Sequence, residues 1–123
     1  MSKRLNRVSQ LLKREISKII QYDLKDPSIN FVTVTYVKVN SDLSLAKVYV
    51  SIMEDDKKKE ETLNAINRAA SFIRRLLAGR ISIRNMPYLR FYEDEMVSKR
   101  QRLEKLFEEI NKERKRKGDY QQD

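Results

Sequence analysis

The segment from Glu61 to Tyr92, ETLNAINRAASFIRRLLAGRISIRNMPYLRFY, constrains the fold more than any other part of the chain. Leu63, Ile66, Ala70, Ile73 and Leu77 recur at spacings of three and four, which lines them up on one face of a helix. Phe72 and Leu76 widen that stripe, which suits a helix lying on a sheet better than a narrow coiled-coil seam. Pro87 biases Met86 towards an extended conformation and ends any helix by about Asn85. Beyond it Leu89 and Phe91 alternate with Arg90 and Tyr92, as a half-buried strand does. A core-packing helix followed by a strand is thus written into this one segment.

The same segment carries Arg68, Arg74, Arg75, Arg80, Arg84 and Arg90, with no acidic residue between Glu61 and Glu93. Arginine is a good helix former and keeps helix surfaces solvated. Mixed signs serve solubility equally well, however, so the one-sided load points to an anion-binding surface. The whole chain agrees: its formal charge is +9 and its pI about 9.8, which favours nucleic acid as partner, then anionic membrane.

Catalysis has little to work with. The 123 residues include no cysteine and no histidine, which removes thiolate and imidazole metal ligands and the commonest general base. Two glycines cannot build a glycine-rich phosphate loop. The acids gather at Glu54–Glu61 and in the C-terminal segment, and Glu93 and Glu95 sit beside basic residues at a strand end. The expectation is a non-enzyme without metal, cofactor or small-molecule substrate. No apolar run approaches the roughly 20 residues of a membrane span, and the N-terminus is not of signal type. A soluble, cytoplasmic protein is expected.

Leu5, Val8, Leu12, Ile16, Ile19 and Ile20 predict an amphipathic helix from Arg4 to about Tyr22. Its first turns carry Lys3, Arg4, Arg7, Lys13 and Arg14, positive charge that opposes the helix dipole. Pro27 within LKDPSI then breaks the helix. Val32–Asn40 and Leu45–Met53 read as a β-hairpin. Val32 and Val34 share one parity, Val37 and Val39 the other, so either a bulge lies near Thr35–Tyr36 or the first half is covered on both faces. Gly79 leaves two alternatives: a helix C-cap followed by extended RISIR, or an interior helical glycine with Ile81 continuing the stripe. Tyr49, Tyr88 and Tyr92 could be exposed for stacking, though a strand tyrosine more often only packs. Met96 to about Lys117 predicts a charged C-terminal helix with a short stripe of Leu103, Leu106, Phe107 and Ile110. The end, Gly118–Asp123, should be frayed.

Four stretches in this order, RLNRVSQLLKREISKII, LKDPSI, VTVTYVKVNSDLSLAKVYVSI and ASFIRRLLAGRISIRNMPYLRFYED, resemble the ribosome-binding factor A family over about residues 4–97. The resemblance implies an α+β, type II KH-like fold. Its three-stranded sheet has helices on one side, in the order helix, strand, strand, kinked helix, strand, with a C-terminal helix or tail. Domain limits of 1–97 for the KH-like RNA-binding part and 98–123 for the charged extension follow. The family kinks its helix at an Ala-x-Gly motif; Ala69, Ala70 and Ser71 match it here, with serine in place of glycine. The resemblance also suggests a helix continuing through Gly79 towards Ile83. It implies a monomeric factor that binds the small ribosomal subunit and its ribosomal RNA during assembly, notably in the cold. Carried over residue by residue, Arg4, Arg7, Lys47, Arg74, Arg75, Arg80 and Arg84 are candidates for RNA binding; Lys13 on the basic face of the first helix and Ser71 in the kink motif complete the candidate set. Against a membrane-surface reading, neither basic helix has a Trp/Phe-rich face, and no recognition-helix signature supports duplex DNA.

Overall fold

The computed structural model describes residues 3–121. Helix α1 spans Lys3–Lys18 and widens into a terminal π-helical turn, Ile19–Asp23, closed by the Leu24 amide donating to the Ile19 carbonyl at 2.9 Å. Strands β1 (Val32–Val39) and β2 (Leu45–Ile52) form the hairpin. Helices α2 (Asp56–Arg68) and α3 (Ala70–Arg80) lead to β3 (Tyr88–Glu93), and α4 (Glu95–Gln121) follows. The sheet order is β1-β2-β3, with β1 antiparallel and β3 parallel to β2. A parallel neighbour needs a crossover, which α2 and α3 supply. Among the described residues no helix is long and apolar enough to cross a membrane.

Helices α1, α2 and α3 pack on one side of the sheet. Leu12 and Ile16 of α1 and Ile19 of the π-helical turn meet Ala65, Ile66, Ile73 and Leu77 of the crossover, over a floor of Val34, Val37, Val48, Val50, Leu89 and Phe91. All are buried. This is the α+β, one-sided, KH-like arrangement expected from the sequence. The parity change in β1 is a bulge: Val34 pairs with Val50 and Tyr36 with Tyr49, leaving Thr35 as the extra residue. Val34 and Val37 therefore both face the core. The Thr35 hydroxyl is re-aimed by the bulge and reaches Asp94 Oδ2 at 2.7 Å.

Two loops use the same device. Asp26 accepts from the Ser28 amide at 2.9 Å and Asp42 from the Ser44 amide at 3.1 Å, and each also binds that serine's hydroxyl. Both carboxyls are held below their ordinary range, first by the serine hydroxyl and then by its amide. A depressed carboxyl favours the folded state only while ionised, so these turns should loosen as pH falls through its folded value.

The crossover kink falls within the expected Ala69–Ser71 stretch, at Ala69 rather than at Ser71, with φ −84° and ψ −2°. The Ala69 amide is shared between the Ala65 and Ile66 carbonyls at 3.1 Å each. These are right-handed dihedrals open to any L-residue, so the bend never required a glycine. Gly79 is neither a left-handed cap nor the middle of a longer helix: α3 passes through it and stops at Arg80. Ile81 then turns extended (φ −123°, ψ 131°), burying its branched side chain in the core.

Helix α4 packs little against the rest of the fold. Leu103, Leu106 and Phe107 are each more than half exposed. The helix continues through Gly118 to Gln121, further than its weak stripe suggested, while the expected fraying of 122–123 lies outside the described residues. Deleting Lys112–Asp123 should thus leave a single cooperative unfolding transition with an unchanged midpoint, readable by circular dichroism in urea. A chain that no longer unfolds cooperatively would place the domain limit beyond residue 111.

Candidate nucleic-acid interface

The arginines of the crossover divide into two kinds. Arg74, half-buried, donates from Nη2 to the Met86 carbonyl at 2.9 Å and from Nε to the Pro87 carbonyl at 3.2 Å. Its guanidinium also stacks 4.2 Å from the Tyr88 ring centroid. It thereby anchors the connection into β3. Arg80 pairs with Asp23 at 2.7 Å and ties the end of α3 to the π-helical turn of α1.

Arg75 and Arg84, by contrast, are exposed and make no ion pair among the described residues. Arg84 meets Arg4 across a groove of about 530 Å³, walled by Ser41, Asp42 and Leu43 of the hairpin tip and by Asn85. Arg7 lies further along α1, beside Arg14 in a shallow cleft. Lys13 is half-buried on the same helix. Ser71 is exposed in the first turn of α3, which has neither a side-chain cap nor an acid to oppose an approaching anion. Because the break is at Ala69, Ser71→Gly should leave the bend in place and cost about 0.5 kcal/mol of helix propensity. An altered interhelical geometry in that variant would return the kink to Ser71.

Lys47 belongs to a different surface. It points out from the sheet face opposite α1, α2 and α3, between Lys38 and Arg90 on the neighbouring strands. One outward row over, Tyr36, Tyr49 and Tyr92 also align across all three strands. Lys47 Nζ lies 5.9 Å from the Tyr92 ring centroid. Burial first, then the neighbouring Tyr49 and Asp94, push the Tyr36 phenol up, so it stays neutral at ordinary pH. Tyr36, Lys38 and Arg90 were absent from the candidate set. Their outward parity is legible in the strand alternation; their alignment with one another is not.

A groove of about 820 Å³ lies elsewhere, between the end of α1, the loop through Pro27 and Phe31, and Met53. It contains no arginine. Among the described residues no group of His, Cys, Asp and Glu is placed to hold a metal ion.

Residues 4–107 match the family model described as ribosome-binding factor A. The chain is similar to the crystal structure of ribosome-binding factor A from Thermus thermophilus, with 31% identity over 72% of this chain and 94% of that one, TM-score 0.65. It is similar, at 30% identity, to the solution structure of a Thermotoga maritima protein, a candidate ribosome binding factor A, over 76% of this chain and 90% of that one, TM-score 0.69. A third match is the Thermus thermophilus homology model fitted into a cryo-EM map of a 30S complex, with 33% identity over 68% and 88% of the two chains, TM-score 0.58.

Proposed function

The chain belongs to the ribosome-binding factor A family, and from that premise we propose that it binds the small ribosomal subunit and its ribosomal RNA during maturation, without performing chemistry. The relative fitted into the 30S complex supports that partner. The observation that carries the reading is the unpaired positive charge on the helical side: Arg4 and Arg84 across one groove, Arg7 exposed further along α1 and Arg75 exposed on α3. Phosphate contacts of this kind fix register and orientation without reading bases. Arg4, Arg7, Lys13, Arg75 and Arg84 contact phosphate; Ser71 lies one turn before Arg75 in α3; Arg74 and Arg80 hold the scaffold that aims them. The same reading makes the protein a monomeric factor of the bacterial cytoplasm, acting on ribosomal RNA maturation and needed most in the cold.

Sedimentation with isolated small subunits, large subunits, duplex DNA and anionic vesicles tests it. Binding should be strongest to small subunits and should weaken steeply with salt. Equal retention on large subunits or vesicles would replace this reading with unspecific polyanion binding.

A further inference from the structure

The sheet face opposite α1, α2 and α3 carries two aligned rows. Lys38, Lys47 and Arg90 stand side by side on adjacent strands, about 4.8 Å apart. Like charges placed directly across strands repel, and none of these three has an ion-pair partner among the described residues. The acids nearest in sequence already have partners: Asp94, beside Tyr36, binds the Thr35 hydroxyl and the first amides of α4, Glu93 pairs with Lys59 on the helical side, and Asp42 binds Ser44 in its turn. A row that costs the sheet stability and is left uncompensated suits a polyanion.

The second row sets what kind. Tyr36 and Tyr49 lie 4.3 Å apart between ring centroids at 11°, Tyr49 and Tyr92 5.7 Å apart at 29°. Ring spacing close to strand spacing means that the rings stand up from the sheet as a column. Tyr49 is covered on both faces, and Tyr92 by Tyr49 on one side with the Lys47 ammonium also over its ring. Tyr36 ends the column at the edge strand β1, 45% exposed, with no second ring or cation on its outer face among the described residues. A planar base can extend such a column, and Lys38 is two residues along the same strand. Only an unpaired base has a face to offer; a duplex does not.

We propose that this face is a second RNA-binding surface, taking an unpaired base of single-stranded RNA against Tyr36 and its neighbouring phosphates on Lys38, Lys47 and Arg90. It rests on the proposed function only for the class of partner, and it lies on the opposite side of the sheet from Arg4, Arg75 and Arg84.

The test is anisotropy of a short labelled oligoadenylate RNA, with duplex RNA of equal length as comparison. Tyr36→Leu should weaken single-strand binding about tenfold and leave duplex binding unchanged, while Tyr36→Phe, which keeps the ring, stays near wild type. Lys38→Gln with Arg90→Gln should also weaken it and flatten the salt slope by about 1.4. Amide shifts of the wild-type protein on titration with the oligomer should centre on Tyr36, Lys38, Lys47 and Arg90, a readout that needs no variant to fold. Shifts confined to α1 and α3, or wild-type affinity in Tyr36→Leu, overturn the proposal. Arg75→Gln with Arg84→Gln probes the helical surface separately, so either surface can fail alone.

Discussion

Replacing Arg75 and Arg84 together by glutamine should weaken binding to the small subunit roughly tenfold at physiological salt. Each phosphate neutralised on irregular or single-stranded RNA contributes a slope of about −0.7 in log K against log salt. Two lost contacts should therefore flatten the slope by about 1.4, which extrapolated to about 0.15 M gives that roughly tenfold loss. Both side chains are exposed and unpaired, so the unfolding free energy should move by less than about 1 kcal/mol. Arg74→Gln should behave differently. It removes two donors to the Met86 and Pro87 carbonyls and the stacking on Tyr88, and should cost about 1–2 kcal/mol of stability while leaving the slope alone. Arg80→Gln breaks one partly exposed ion pair and should cost no more than about 1 kcal/mol. Salt titrations and urea melts on the same preparations separate the two kinds. An unchanged slope in the Arg75/Arg84 variant would remove these two arginines from the binding reaction and leave the helical surface to Arg4, Arg7 and Lys13.

The largest loss of stability short of emptying the core is expected from Asp94→Ala. Asp94 is 8% exposed and joins three elements. Its Oδ1 accepts from the Met96 and Val97 amides at 3.1 and 3.4 Å, capping α4, while Oδ2 accepts from the Thr35 hydroxyl of the β1 bulge. Its own amide donates to the Val50 carbonyl at 2.7 Å and continues the β2–β3 ladder. Losing an N-cap costs about 0.5–2 kcal/mol, and a hydrogen bond to a charged group about 1.5–3. Together the variant should lose roughly 2–4 kcal/mol. It should also lose helical signal, because α4 has little tertiary packing to hold its first turn in place of the cap. Asp94→Asn keeps an acceptor and should recover part of both. An Asp94→Ala protein with native helicity and midpoint would show that the cap is dispensable.

Much of the fold was legible in the residues because it depends on local periodicity. The stripe of Leu63, Ile66, Ala70, Ile73 and Leu77 and the Leu89/Phe91 alternation follow from backbone geometry within a few positions; Ile66, Ile73, Leu77, Leu89 and Phe91 are buried as read, Leu63, Ala70 and Leu76 only partly, and Phe72, read as widening the stripe, is exposed. The parity change around Thr35 left a bulge as one of two readings, and the strand register selects it. The kink was placed within Ala69–Ser71, but which of the three residues breaks the helix was not legible, because Ala69 uses ordinary dihedrals that leave no mark on residue choice. The end of α3 at Arg80 likewise depends on where Ile81 finds the core.

The site was legible only as charge. The sequence by itself determined that the chain is basic, that six arginines crowd one segment and that no histidine or cysteine can do chemistry. Tertiary structure alone decided which cations remain free. Arg74 and Arg80 are taken up by Met86, Pro87 and Asp23, the last 57 residues away in the chain. Lys38, Lys47 and Arg90 become neighbours through strand register. Charge is a property of each residue and can be counted along the chain. Pairing is a property of distance, and distance is set only when the strands align and the helices dock.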